Sequence, residues 1–156
     1  MAAVTPKAKT VVTMKLSGSC ASHSRTDVAV RDVKSTIDEP AERGGTNQGL
    51  TPTETLMASL IGCTNVITHK VAEKNGVHID AMSVRLEAQF DRRGVTLTEE
   101  VNVPFPSVTL TIDLVTAADA AAVERVKRDL HKFCPVSKVL RACGTELKEI
   151  WNVRAT

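Results

Sequence analysis

Four cysteines are the residues of this chain best suited to covalent chemistry: Cys20, Cys63, Cys134 and Cys143. Cys134 comes directly before Pro135, and proline suits the first position of a helix. The free backbone N–H groups and the dipole at a helix start favour a thiolate and lower its pKa. The sequence therefore predicts a reactive thiol at Cys134, with a cap residue chosen for its size as the alternative.

Cys63 has a different setting, within the apolar stretch that runs from Leu56 to Ile67. A free cysteine among apolar neighbours is most often a small buried hydrophobe. Taken as a pair, however, a thiol in a buried helix and a thiol at a helix start form a dithiol that can cycle through a disulfide. The sequence leaves open whether Cys63 and Cys134 are adjacent.

The helix around Cys63 has clear start and stop signals. Thr51 as the N-cap, Pro52 at the first helical position and Glu54 three residues after the cap form a capping box, and an Asn-Gly pair at 75–76 ends the helix. This helix should span roughly 35 Å, and because it is apolar on nearly every side it should be buried on every side. One sheet covers only one side, so we expect an intimate homodimer with these helices near the two-fold axis.

The rest of the chain predicts an α+β fold with a mainly antiparallel sheet, in the order β-β(-β)-α-β-β-α-α-β. Alternating apolar residues over 82–90 and 108–114 indicate half-buried strands. Thr116–Asp119 resembles another capping box, followed by helices up to Phe133 and from Val136 to Cys143. The other expected segments are a strand over Lys9–Leu16, a turn over Gly18–Ser24, one or two strands within Thr26–Ile37, a loop over Asp38–Gly49, a turn at Arg93-Gly94 with an optional edge strand between Arg92 and Pro106, and a last strand over Leu147–Val153.

Composition narrows the class of protein. A chain of 156 residues with 42% hydrophobic content fits one domain, 1–156, with a substantial core. A net charge of +2, with 3% aromatic residues and no basic block, argues against nucleic-acid binding. No apolar run reaches the ~18 residues of a membrane span, and the first residues lack the apolar stretch of a signal peptide. We therefore expect a cytoplasmic protein that binds neither nucleic acid nor membrane.

Five short motifs carry a family resemblance: Asp38-Glu-Pro, Gly44-Gly-Thr-Asn, Thr51-Pro, Leu56-Met-Ala-Ser-Leu-Ile-Gly-Cys-Thr64 and His131-Lys-Phe-Cys-Pro-Val-Ser-Lys-Val-Leu140. They resemble the OsmC/Ohr family, the osmotically inducible and organic-hydroperoxide-resistance proteins, in a less characterised OsmC-like branch. The resemblance implies an OsmC-like fold and an intertwined homodimer with each active site at the interface. It also implies a thiol peroxidase that reduces organic hydroperoxides with a dithiol reductant, lipoyl-type or a small thiol, and without a cofactor or metal.

The resemblance also assigns roles to residues. Cys63 matches the peroxidatic cysteine, Cys134 the resolving cysteine, and Arg43 the arginine that activates the thiolate. An activating charge makes physical sense because burial raises the pKa of a thiol and a nearby positive charge lowers it. The alternative for Arg43 is a solvated loop charge near Glu39 and Glu42.

One position departs from the family pattern. In the best-studied branches a glutamate directly follows the helix-starting proline and pairs with the arginine, whereas here that position is Thr53 and the carboxylate is Glu54. One residue corresponds to about 100° of rotation, which puts Glu54 and Cys63 on opposite faces of an ideal helix. Glu54 stays a candidate catalytic residue, but its place in the capping box is the preferred explanation.

The sequence has two alternatives to a peroxidase. One is a non-catalytic OsmC-like dimer that binds a small apolar or thiol-reactive ligand, with the cysteines as a redox sensor or as packing. Another is a zinc site, but no C-x-x-C or H-x-x-x-H spacing supports it. Five polar residues are weaker candidates. His131 could orient Cys134 or cap a helix, Cys143 could be a second resolving thiol or a packing residue, and Ser137 is expected to be a first-turn hydroxyl. His69 should lie away from Cys63, and Cys20 has no visible partner.

Overall fold

The computed structural model describes residues 10–156. They fall into two compact units, one up to Thr55 and one from Leu56 to Thr156. Each unit holds a three-stranded sheet, and together with three α-helices the sheets make an α+β protein, as the sequence predicts. Within this described part of the chain, no helix has the length and apolar content needed to cross a lipid bilayer.

The first unit is built on a meander of three antiparallel strands. They are β1 (Ser17–Cys20), β2 (Thr26–Val30) and β3 (Val33–Ile37), paired in that order. Of the one or two strands expected within Thr26–Ile37, both are present as β2 and β3, but the strand expected over Lys9–Leu16 is wrong. Residues 10–16 form no strand, Lys9 lies outside the described residues, and β1 occupies part of the expected turn. The valines at 11 and 12 are 85% and 72% exposed, and strand propensity has little effect without a partner strand and a face to bury.

A buried aspartate closes the loop after β3, which contains a 3-10 turn over Ala41–Arg43. Asp38 is 0% exposed, and its carboxylate accepts a hydrogen bond from Thr46 Oγ1 at 2.6 Å. It also accepts from the backbone N–H groups of Glu39, Thr46 and Gln48 at 2.9, 3.0 and 3.1 Å. These hydrogen bonds, with the Thr46 hydroxyl as the largest influence, lower the pKa of Asp38.

Two glycines let the same loop pass close to other backbone. A Cβ at Gly45 would lie 1.7 Å from the carbonyl oxygen of Glu39, and one at Gly49 would lie 2.1 Å from that of Thr36. Because both obstacles are backbone atoms, any larger residue would have to displace the chain. The loop thus depends on glycine at both positions.

Helix α1 (Pro52–Lys74) begins and ends where the sequence predicts. Thr51 Oγ1 accepts from the Glu54 N–H at 3.2 Å and Glu54 Oε2 accepts from the Thr51 N–H at 2.9 Å, so both halves of the capping box form. Within one chain only one face is buried, whereas Leu56 and Val66 are 38% and 49% exposed. The buried face consists of Met57, Leu60, Thr64, Thr68, Val71 and Ala72.

In the second unit, two helices connect the last two strands of the sheet along the chain. The strands are β4 (Ala81–Ala88), β5 (Ser107–Val115) and β6 (Glu146–Arg154), and the helices are α2 (Ala120–Phe133) and α3 (Pro135–Ala142). The pairs β1–β2, β2–β3 and β4–β5 are antiparallel, as expected, but β5 and β6 are parallel. A crossover through helices returns the chain to the starting edge and so permits a parallel pair.

Two local expectations in this unit are wrong. Between Arg92 and Pro106 there is no strand, and the chain forms turns in which Arg93 pairs with Asp91 at 2.6 Å. The N-cap of α2 is Asp119, whose Oδ1 accepts from the Ala122 N–H at 2.7 Å. Thr116 instead donates its hydroxyl to the carbonyl oxygen of His78 at 2.6 Å, a partner that is distant in sequence.

The core of the second unit is centred on β5, whose alternate residues point inward as expected. Val108, Leu110, Ile112 and Leu114 are each at most 1% exposed. All of these except Leu114 pack with α1, α2 and α3 in a cluster that includes Leu60, Leu130 and Cys134. The core thus contains one of the two candidate cysteines.

We expect Asp38 to make stability depend on pH. Because its pKa is lowered from 3.8, the ionised form stabilises the fold; this contribution is complete above that value and is lost as the pH falls through the folded-state pKa. Asp38→Asn should be less stable at neutral pH and should show a smaller decline in unfolding midpoint between about pH 5 and pH 2.

The matched control is Asp32→Asn, at an exposed turn position, which should keep the full decline. Urea unfolding followed by circular dichroism across the pH range measures both. If Asp38→Asn shows the same stability and the same decline as the unaltered protein, the role given to this carboxylate is wrong.

Candidate active site

The sulfurs of Cys63 and Cys134 lie 3.2 Å apart, with both cysteines as free thiols. Cys63 comes from the middle of α1 and Cys134 from the turn between α2 and α3. Cys134 is 1% exposed, whereas Cys63 is half-buried. Folding therefore brings together two thiols that are distant along the chain, and the more accessible one is Cys63.

The backbone holds Cys134 where α2 ends and α3 begins. Its N–H donates to the carbonyl oxygen of Leu130 at 3.0 Å, which closes α2, and its own carbonyl oxygen accepts from the Lys138 N–H at 3.2 Å, which opens α3. Ser137 Oγ donates to the same carbonyl oxygen at 3.1 Å, so Ser137 is the first-turn hydroxyl that the sequence predicts. Pro135 at the start of α3 lacks an N–H and therefore leaves none unpaired at that position.

The start of α3 acts on the Cys63 thiol, whereas the sequence predicts that it acts on Cys134. The Cys134 side chain makes no cap hydrogen bond, and the Val136 N–H at the start of α3 donates to the Cys63 sulfur. This donation lowers the pKa of Cys63, but burial, the largest influence, and the adjacent Cys134 sulfur raise it. The net effect is a raised pKa, so this arrangement by itself favours the protonated Cys63 thiol.

Arg43 and Glu54 belong to the first unit and have partners within it. Arg43 Nε lies 2.9 Å from Glu39 Oε2, and the arginine side chain is 52% exposed, which matches the alternative of a solvated loop charge. Glu54 is engaged in the capping box, and its hydrogen bonds with Thr51, followed by the charge of Arg43, lower its pKa. Thr53, where the family pattern has glutamate, lies 3.2 Å from the Thr51 hydroxyl through its own Oγ1.

His131 faces a carboxylate that was not among the predicted site residues. Its Nδ1 lies 3.5 Å from Glu149 Oε1, and the Glu149 side chain is only 6% exposed. The sequence contained a signal for this contact, since Leu147, Glu149 and Trp151 occupy every second position of β6 and so share its inward face. His131, which was predicted to orient Cys134 or to cap a helix, therefore lies beside a buried carboxylate.

The remaining candidates lie apart from the two thiols. Cys20 is exposed in β1, and Cys143 is exposed at the end of α3. His69 Nδ1 lies 2.9 Å from the Asn65 carbonyl oxygen on an exposed part of α1. Among residues 10–156, no group of three or more His, Cys, Asp or Glu side chains is close enough to hold a metal ion.

We expect Cys134→Ser to lower the pKa of Cys63, because the Cys134 sulfur is one of the influences that raise it. The background should be Cys20→Ser/Cys143→Ser, so that the two exposed thiols do not react. The alkylation rate of Cys63 against pH gives its pKa, and mass spectrometry confirms the site.

The comparison is with the same background carrying an intact Cys134, alkylated under reducing conditions. A Cys63 titration that stays in place, or moves to higher pH, when Cys134 is replaced would show that the adjacent sulfur does not raise the Cys63 pKa.

Solved structures show the same fold at low sequence identity. An OsmC-like protein from Mycoplasma pneumoniae matches with a TM-score of 0.72 and 14% identity, covering 93% of this chain and 98% of its own. An organic hydroperoxide resistance protein OsmC from Legionella pneumophila matches with a TM-score of 0.68 and 17% identity, covering 92% and 99%. OhrB, the organic hydroperoxide resistance protein of Bacillus subtilis, matches with a TM-score of 0.58 and 20% identity, covering 90% and 98%.

No curated protein sequence matches the chain. The family model described as OsmC-like protein matches residues 45–149, which include α1, both thiols and nearly all of the second unit. This match covers more than half of the chain and agrees with the fold of the solved structures. The chain belongs to the OsmC-like protein family.

Proposed function

We propose that this protein is a thiol-dependent peroxidase that reduces organic hydroperoxides through Cys63 and Cys134. The observation that carries the proposal is the 3.2 Å separation of the two sulfurs in a chain whose other two cysteines are exposed. Membership of the OsmC-like family, with relatives named organic hydroperoxide resistance proteins, supports the same substrate class.

In the proposed reaction the Cys63 thiolate attacks the distal oxygen of the hydroperoxide ROOH. The O–O bond breaks, RO⁻ takes up a proton and leaves as the alcohol, and Cys63 becomes a sulfenic acid. The Cys134 thiolate then attacks the Cys63 sulfur, the S–O bond breaks, and hydroxide leaves as water after protonation. A dithiol reductant, lipoyl-type or a small thiol, reduces the resulting disulfide and is itself oxidised to a disulfide.

The groups around Cys63 fit this division of roles. The half-buried Cys63 is the sulfur that a peroxide can meet, whereas the buried Cys134 is placed to attack Cys63 from within the core. The Val136 N–H favours the thiolate of Cys63, but burial opposes it more strongly. An additional positive charge is therefore needed, and Arg43 is the residue to which the family resemblance assigns it.

Little apolar surface of α1 near Cys63 is free to bind a bulky peroxide. Leu60 is 0% exposed and Met57 is 8% exposed, so both serve core packing. Leu56 is 38% exposed and remains available for an organic substrate. We propose that the protein prefers organic hydroperoxides to hydrogen peroxide. This preference would rest on Leu56 and on apolar surface supplied by a second copy of the chain.

A non-catalytic dimer that binds a small apolar or thiol-reactive ligand is the second candidate. The raised pKa of Cys63 favours it, because a protonated thiol is a poor nucleophile. In that case the two thiols would report the redox state or simply pack, and no peroxide would be turned over.

We expect Cys63→Ser to abolish peroxide consumption in the presence of a dithiol donor. In the absence of the donor, Cys134→Ser should release one equivalent of alcohol and leave Cys63 as a sulfenic acid, because the internal disulfide cannot close. Arg43→Ala should slow the sulfenic acid step, whereas Glu54→Gln, which keeps the capping box, should leave its rate unchanged. Alcohol formed from cumene hydroperoxide, measured by chromatography, follows all four variants.

Cys143→Ser, at an exposed cysteine outside the pair, is the matched control and should retain full turnover. If Cys63→Ser consumes the peroxide as fast as the unaltered protein, the proposed function is wrong. An unaltered protein that binds cumene hydroperoxide without forming alcohol would favour the second candidate.

We also propose that the protein is a homodimer. The support is that Leu56 and Val66 of α1 are 38% and 49% exposed, although six other residues of the same helix are buried in the core. Large apolar side chains left exposed on a helix are candidates for an interaction site. A second copy of α1 is the simplest cover, because two-fold symmetry pairs identical surfaces.

We expect Val66→Glu to convert the dimer to a monomer, because two buried carboxylates would face each other near the two-fold axis. The matched control is Val95→Glu, the same change at a loop valine that is 62% exposed, and it should stay dimeric. Sedimentation equilibrium distinguishes the two species. An unaltered protein that sediments as a monomer at micromolar concentration, or a Val66→Glu variant that stays dimeric, would contradict the assignment.

A further inference from the structure

A buried carboxylate outside the thiol pair joins the two helices that meet at Cys134. Glu149 on β6 has only 6% of its side chain exposed. Its Oε1 lies 3.5 Å from His131 Nδ1 and 3.8 Å from Arg141 Nη2, and its Oε2 accepts a hydrogen bond from Trp151 Nε1 at 3.2 Å. The proposed reaction uses none of these four side chains.

The partners of Glu149 come from both sides of the turn that holds Cys134. His131 lies in the last turn of α2, just before Cys134, and Arg141 lies in the last turn of α3. Arg141 Nη2 is also 3.4 Å from His131 Nδ1, so the two helices contact each other as well as the carboxylate. One side chain on the sheet therefore attaches to both helices, and Cys134 lies between the two points of attachment.

Stability alone is a weak reason for such a group. Ion pairs to side chains as exposed as those of His131 and Arg141 contribute little to stability, and burial of the Glu149 carboxylate carries a desolvation cost. Orientation is different, since a carboxylate that accepts a hydrogen bond from Trp151 and lies within ion-pair distance of His131 and Arg141 restricts where the two helix ends can lie. The arrangement thus suits a group that sets the angle between α2 and α3.

We infer that Glu149 is a positioning residue for Cys134: by binding His131 and Arg141 it holds the α2–α3 turn so that the Cys134 sulfur stays within reach of the Cys63 sulfur. This inference rests on the proposed use of the two thiols as a redox pair. A disulfide bond is about 2.0 Å long, so sulfurs 3.2 Å apart need only a small approach. A turn released from the sheet would sample many positions in which this approach is longer.

The test separates attack at Cys63 from closure by Cys134, and it needs no peroxide. In the Cys20→Ser/Cys143→Ser background, the Cys63 thiolate attacks oxidised glutathione, forms a mixed disulfide and releases one glutathione thiolate. The Cys134 thiolate then attacks the Cys63 sulfur, and the second glutathione leaves as its thiolate while the internal disulfide forms. Acid quenching and mass spectrometry resolve the mixed disulfide from the closed form.

For Glu149→Gln we expect mixed-disulfide formation at the unaltered rate and closure slowed about tenfold, because only the position of Cys134 changes. If the reverse opening is unaffected, the closed disulfide is destabilised tenfold, which raises the two-electron reduction potential by about 30 mV. Glu146→Gln, at an exposed carboxylate on the same strand, is the matched control and should change neither step. A loss of overall packing would disturb both steps, so the split between them distinguishes positioning from general destabilisation.

The partners of Glu149 provide a second route if Glu149→Gln does not fold. His131 and Arg141 have side chains 45% and 39% exposed, so their replacement by alanine is tolerable for the fold. Each alanine variant should slow closure, and the double variant should be slowed less than the product of the two single effects, because both act through one carboxylate.

Closure in Glu149→Gln, His131→Ala and Arg141→Ala at the rate of Glu146→Gln would overturn the inference. Failure of the proposed function gives a different result, since slowed closure in these variants together with no alcohol from cumene hydroperoxide in the unaltered protein would reject the peroxidase and retain the positioning role.

Discussion

The contact between the Cys63 and Cys134 sulfurs is the constraint on which the candidate site depends. At 3.2 Å the Cys134 sulfur is close enough to raise the pKa of Cys63, and a small movement would bring the two atoms to bonding distance. This contact requires three elements to stay in register: α1, the end of α2 and the start of α3. Leu60, Leu130 and Cys134 share one core cluster with inward residues of β5, so the packing of the core also sets the distance between the thiols.

The electrostatics of Cys63 result from opposing influences of different origin. Burial and the adjacent sulfur raise its pKa, while one backbone N–H at the start of α3 lowers it. A helix start supplies only a few free N–H groups, and the one from Val136 is directed at the sulfur of another element. The raised pKa makes an activating cation the central chemical requirement of the proposed peroxidase, and the lack of one would favour a binding or sensing role.

Polar groups with several partners determine the geometry of the segments around these elements. Asp38 binds three residues of the loop that contains Arg43, and Glu149 binds both helices that flank Cys134. In each case a carboxylate with little exposed surface lies close to several polar partners. Such groups are costly to leave unpaired, so they restrict the conformations that the surrounding backbone can adopt.

The sequence by itself determined the features that arise from near neighbours along the chain. Such short-range patterns are the capping box of α1, the break at Cys134-Pro135, the alternation in β5 and the family motifs. They sufficed to predict the α+β class and to single out Cys63 and Cys134 as candidate residues. Expectations that required a distant partner were wrong or out of reach: the strand over Lys9–Leu16 has no partner strand, Thr116 bonds to His78 instead of capping α2, and the β5–β6 pair is parallel. Only the tertiary structure decided that the two sulfurs meet, that Val136 donates to Cys63, and that Glu149 joins α2 to α3. These contacts depend on the packing of elements far apart in sequence, and local propensity contains no information about which distant group will lie opposite.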